Sequence, residues 1–129
     1  MSYQHILVAI DLSQSSPILI DKAVAIAKPT HSKLSFVFVD VNRVVLTPDE
    51  EQEIERKLST LAQYSGYPVT DTLAVVGDLH MKLQGIIKEN NIDLLVCGHH
   101  HDFLSRFFSP VPDIANTVEA DLLVVYLNH

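Results

Sequence analysis

His5-Ile6-Leu7-Val8-Ala9-Ile10-Asp11-Leu12-Ser13-Gln14-Ser15-Ser16-Pro17 is the stretch on which the fold turns. Its unbroken apolar run, Ile6 to Ile10, is what a central strand needs when both of its faces are covered. Asp11 stops the run. Ser13 to Ser16 and then Pro17 make a group that can cap a helix and place proline in its first turn. Leu19 or Ile20, Ala23, Val24 and Ala27 recur at helical spacing, and Pro29 is expected to close that helix. Strand, turn and helix in this order make a βα unit.

The unit repeats along the chain. Leu34 to Val39, rich in β-branched and aromatic residues, reads as the second strand. Pro48-Asp49-Glu50-Glu51 starts a helix, with proline early and acids at the positive end of the dipole. Ile54, Leu58, Leu61 and Ala62 form its apolar stripe, and Gly66 with Pro68 ends it. Val69 to Val76 is expected as strand three. Gly77-Asp78 opens a helix that buries Leu79, Leu83, Ile86 and Ile87 and stops near Asn90-Asn91. Leu94 to Cys97 is a fourth, fully apolar strand, closed by Gly98. A loop from His99 to about Ser109, a short helix with Ile114, Ala115 and Val118, and a last strand from Leu122 to Leu127 complete the chain.

Strands alternating with helices predict a single α/β domain over residues 1–129, an open parallel sheet with helices on both faces. For five strands the orders 3-2-1-4-5 and 2-1-3-4-5 both satisfy these rules, and both put a ligand crevice at the carboxyl ends of strands near the order reversal. The groups at those ends are Asp11, Asp40, Gly77-Asp78 and Gly98-His99-His100-His101.

Composition narrows the function classes. Hydrophobic residues make up 47% of the chain and charged ones 19%, enough apolar content to rule out wholesale disorder. A formal charge of -7 argues against nucleic acid or an anionic membrane as partner. The lone cysteine, Cys97, allows no intramolecular disulfide and fits a reducing compartment. The Ile6–Ile10 run is too short for a secretory segment, and nothing in the chain approaches the ~20 apolar residues of a membrane span. A soluble, cytoplasmic protein is expected.

Several segments resemble the universal stress protein family, and its A-type members in particular. They are His5 to Ser13, Val39-Asp40-Val41-Asn42, Gly66-Tyr67-Pro68, Asp93 to Phe103 and Asp121-Leu122-Leu123-Val124-Val125. The likeness runs nearly end to end, although the segment between strand two and the second helix is shorter than A-type members carry. The resemblance implies the order 3-2-1-4-5, an adenine nucleotide alpha-hydrolase-like sheet, and dimerisation through the last strand.

The same resemblance frames the question of nucleotide binding. ATP-binding relatives carry Gly-x-x-Gly, nine residues, then Gly-Ser or Gly-Thr after strand four, where bare backbone and a hydroxyl cradle the phosphates. Here Gly98 keeps the first position, His101 takes the second, and Val111-Pro112 stands in the final pair. Proline has no N–H and valine no hydroxyl. Losing two or three charge-assisted hydrogen bonds at roughly 1.5–3 kcal/mol each would turn micromolar ATP binding into roughly millimolar. Asp11 and Val39 match positions that line the adenosine part of the site in binding relatives. Asp11, Val39, Gly98, His99 and His101 therefore make a degenerate nucleotide crevice at most, and no cofactor is expected.

Other chemistry fares worse. Of the run His99 to His101, only His99 and His101 point the same way in extended chain, too few ligands for zinc by themselves, so metal storage stays a minor option that needs His80 or Asp11 to converge on them. Local hydrogen bonding is the expectation for them. Asp11 lacks the paired acids and the strand-five lysine of a phosphoacceptor site. Ser13 to Ser16 lack the glycines of a flavin phosphate loop, so capping is their expected role. Cys97 in an apolar strand reads as inert packing. Phe103, Phe107 and Phe108 are expected to fold back over the sheet end. In the order 3-2-1-4-5 the last strand is an apolar edge, and an antiparallel two-fold contact through Leu122, Val124 and Tyr126 would bury it. The expected protein is a non-catalytic, stress-responsive homodimer of the bacterial cytoplasm acting on an unidentified protein partner. A paralogue could replace one copy, and the rival is a nucleotide-binding universal stress protein.

Overall fold

A strand without a solvent face has to be sandwiched, and β1 (His5–Ala9) is buried at every position. The computed structural model describes residues 3–10, 16–40, 45–77, 79–99 and 120–126, with backbone alone at 79, 80, 99 and 126. After β1 come α1 (Ser16–Ala27), β2 (Lys33–Asp40), α2 (Pro48–Ser65), β3 (Asp71–Val76), α3 (Leu79–Glu89), β4 (Leu94–His99) and β5 (Asp121–Tyr126). All neighbouring strands are parallel, in the order β3-β2-β1-β4-β5. Of the two orders open to the residues alone, the one implied by the resemblance is correct.

Alternation along each strand feeds two cores. Ile6, Val8, Leu34, Phe36, Leu94 and Val96 pack with Leu19, Ile20, Ala23 and Val24 of α1 and with Ile54 and Leu58 of α2. Leu7, Ala9, Val37, Leu95 and Cys97 face the other way, onto Leu83 and Ile87 of α3. Helices thus cover both faces, as right-handed crossovers on either side of β1 require. The expected fourth helix at Ile114 to Val118 and the phenylalanines Phe103, Phe107 and Phe108 lie outside the described residues.

Local chemistry sets the helix ends. The Thr47 hydroxyl accepts from the Glu50 N–H at 3.2 Å while the Glu50 carboxylate accepts from the Thr47 N–H at 3.0 Å. This capping box, with Pro48 just inside, starts α2 where the acids suggested. Gly66 ends it in the left-handed region, at φ 65°. Pro29 closes α1 as expected, the α-helix ending at Ala27. It continues the chain through a 3-10 turn, Lys28–Thr30, whose early position needs no N–H, and His31 at φ 54° makes the stop. Strand three begins at Asp71 rather than Val69, β4 runs past Gly98 to His99, and β5 starts at Asp121 and is described to Tyr126.

A polar belt fastens the amino ends of the strands. Asp93, just before β4, accepts from the N–H groups of Gln4 at 2.8 Å and His5 at 2.9 Å. The His5 ring, 8% exposed, places Nδ1 3.1 Å from the Asn90 carbonyl and Nε2 2.7 Å from Ser35 Oγ. Facing a carbonyl, Nδ1 donates to it, and Nε2 shares a hydrogen bond with the Ser35 hydroxyl. Ser32 Oγ donates to the Tyr3 carbonyl, and the Tyr67 hydroxyl donates to the Ser32 carbonyl at 2.5 Å. The Tyr3 hydroxyl reaches Asp121 at 2.8 Å, tying the chain's start to β5.

Asp93 holds β1 beside β4 through two charge-assisted bonds to main chain. Asp93→Ala is expected to destabilise the fold by about 2 kcal/mol, read as a lower urea midpoint at unchanged slope.

Candidate functional site

The order of strands reverses between β1 and β4, because β2 and β3 continue to one side of β1 while β4 and β5 lie on the other. The crossovers part there, leaving a crevice at the carboxyl ends. Ile10 follows β1, is buried, and donates its N–H to the Val37 carbonyl at 2.8 Å. Val39 pairs with Val75 and is half-buried on the α3 side of the sheet. Gly98 is buried and pairs with Val125, and His99 pairs with Tyr126. Val39 and the Gly98–His99 backbone thus flank the end of β1 on its two neighbouring strands. Asp11 and His101 lie outside the described residues, as do His100 and the pair Val111-Pro112.

The rest of this edge is closed backbone. Gly77 follows β3, and its N–H donates to the Asp40 carbonyl at 3.1 Å. Its φ of 129° is one that side-chain-bearing residues avoid, and a Cβ there would stand 3.0 Å from Cε of Lys82. The aliphatic stem of Lys82 therefore lies across the end of β3.

The most reactive pairing among the described residues, His5 with Ser35, sits away from the crevice. The contact between His5 and Ser35 has the pairing of an activated hydroxyl, but Ser35 is 2% exposed at the amino end of the sheet. No substrate approaches it, so it acts as a cross-link between β1 and β2. Cys97 faces α3, and burial pushes its thiol up to about 12. Tyr3 and Tyr64 are also raised, first by donating to the carboxylates of Asp121 and Asp21. Among the described residues no three His, Cys, Asp or Glu side chains come together as a metal site. Nor is any described helix long and apolar enough to cross a membrane.

Two polar features escaped the sequence reading. One is the belt of His5, Ser35, Asn90 and Asp93. Its signal was a histidine leading an apolar run and a serine between Leu34 and Phe36, on the same face once the strands pair. The other is Ser16, expected to help cap α1. Instead it is the first residue of the helix, 1% exposed, and its hydroxyl bonds to nothing. Ser13, Gln14 and Ser15 lie outside the described residues.

Comparison with known proteins agrees with this architecture. The model of the universal stress protein family matches residues 2–126. Universal stress protein A of Escherichia coli K12 is 41% identical, covering 98% of this chain and 96% of its own. Universal stress protein A of Yersinia pestis is 42% identical, over 98% and 94%. Both alignments run over 139 positions, more than the 129 residues of this chain, so these relatives carry residues that it lacks. Among solved structures, a universal stress protein in complex with cAMP superposes with a TM-score of 0.70 at 27% identity, over 97% of this chain and 98% of that one.

The sealed thiol gives a direct test. Cys97 is expected to resist a thiol-specific disulfide reagent in the native state and to react in step with unfolding in urea. A folded-state value raised from 9.0 to about 12 also contributes stability that is complete below about pH 9 and lost as the pH rises toward 12. Cys97→Ala is expected to flatten that part of the alkaline stability profile.

Proposed function

The chain belongs to the universal stress protein family and is UspA-like, and from that premise we propose a non-catalytic stress-response factor of the bacterial cytoplasm that works as a homodimer through protein contacts. The observation that carries the reading is the state of β5. Among the described residues it pairs with β4 alone, so one row of its backbone groups faces outward. Its side chains are apolar on both faces, with Leu122 39% exposed and Leu123 and Val124 half-buried. A long apolar edge of this kind recruits another strand. Antiparallel pairing of two β5 strands about a two-fold axis closes the assembly, with Leu122 and Val124 on one face and Tyr126 in step with them.

The non-catalytic part is supported by where the chemistry sits. The one imidazole–hydroxyl contact among the described residues is sealed at the amino end, and the thiol is held protonated. The partner surface would comprise the loops and helices around the dimer, and a paralogue with a matching edge could replace one copy.

A second reading is favoured by the relative solved with cAMP, whose fold this chain shares. It makes the chain a nucleotide sensor, with the base in the crevice bounded by Asp11, Val39 and Gly98 and a degenerate grip on phosphate at His99 and His101. The replacement of the second loop glycine by His101 and of the final pair by Val111-Pro112 speaks against triphosphate.

Light scattering is expected to give twice the chain mass for the wild type. Leu122→Lys, a change at an exposed position, is expected to give a folded monomer; a wild-type monomer would remove the edge argument. Calorimetric titration with magnesium ATP is expected to show no micromolar binding and no hydrolysis. Micromolar binding of ATP or cAMP would move the assignment to the nucleotide reading.

A further inference from the structure

Ser16 poses a problem that the fold leaves open. It is 1% exposed, and its hydroxyl has no hydrogen-bonding partner. Native proteins rarely bury a hydroxyl without a partner, because the lost hydration is not recovered. The direction of the side chain follows from the helix. Ser16 lies on the same stripe as Leu19, Ile20, Ala23, Val24 and Ala27, all buried on the sheet side of α1. Its Oγ is therefore turned toward the sheet, at the end of α1 that stands over the carboxyl end of β1.

That end is the positive pole of a 12-residue helix. First-turn N–H groups have no acceptor within a helix, and here they belong to Ser16 and Ile18, since Pro17 has none. The first turn of α1 contains no acidic side chain to answer them, whereas α2 places Asp49, Glu50 and Glu51 there. An inward hydroxyl and a positive helix end match one kind of guest, a small tetrahedral oxyanion.

We propose that the amino end of α1 binds a single phosphate group, free or as a small monoester, with Ser16 Oγ donating to one of its oxygens. The proposal draws on no residue of the loop after β4. It also stands apart from dimerisation through β5. Because Ser16 is so deeply covered, the phosphate gains access through local opening of the first turn, and affinity is lowered by the fraction of time it is open.

Thermal melts of the wild type and Ser16→Ala, at constant ionic strength, test this. In chloride alone, Ser16→Ala is expected to melt at or above the wild type, because the substitution removes an unpartnered hydroxyl. Titrated inorganic phosphate is expected to raise the wild-type midpoint saturably, with Ser16→Ala needing about tenfold more for the same shift. Methyl phosphate in place of inorganic phosphate identifies the source: the stronger response marks a free ion or an ester. A variant that melts lower in chloride, or fails to fold, would show that the hydroxyl already has a partner within the protein and would overturn the proposal. So would identical phosphate responses of the two proteins, the signature of a general salt effect.

Discussion

The molecule depends on one constraint: β1 has no side in water. Its five residues are buried on alternating faces, three strands meet through it, and each core draws on it. A strand in that position has its backbone satisfied only if both neighbours are present and in register. Asp93 supplies part of that register on the β4 side by taking the N–H groups of Gln4 and His5. On the β2 side, the His5 ring and Ser35 do the same work between side chains. The polar belt and the apolar cores therefore specify one arrangement from opposite directions.

The division of the molecule into two ends follows. At the amino end, hydroxyls, an imidazole and carboxylates are spent on each other and on main chain. At the carboxyl end β2 finishes in Val39 and Asp40, Gly77 follows β3, and β4 ends in Gly98 and His99. Among the described residues the His5–Ser35 contact and the Cys97 thiol are both buried. The apolar edge at β5 offers contact area on the far side of β4.

The fold was legible in the residues because its cues are local. The Ile6–Ile10 and Leu94–Cys97 runs, the capping box at Thr47 and Glu50 and the left-handed Gly66 each act within a few positions. Strand order was not legible from them, since both arrangements obey the same crossover rule; the family likeness decided it. Pro29 marked the end of α1 because proline stops an α-helix, and the same residue suits the start of the 3-10 turn that follows. Val39 and Gly98 stand near the carboxyl ends of β2 and β4, where their apolar runs put them. The His5–Ser35 link and the orphaned Ser16 hydroxyl were missed, since each depends on what stands opposite in space. A serine beside a proline reads as a cap until packing shows it turned inward.

The strand order also dictates when this chain can fold during synthesis. One flank of β1 is filled by β2, which follows it closely in the chain, but the other waits for β4, made only after α1, β2, α2, β3 and α3. The clasp from Tyr3 to Asp121 spans 118 residues and cannot close earlier still. Until then one of the most water-averse stretches of the polypeptide is unaccompanied.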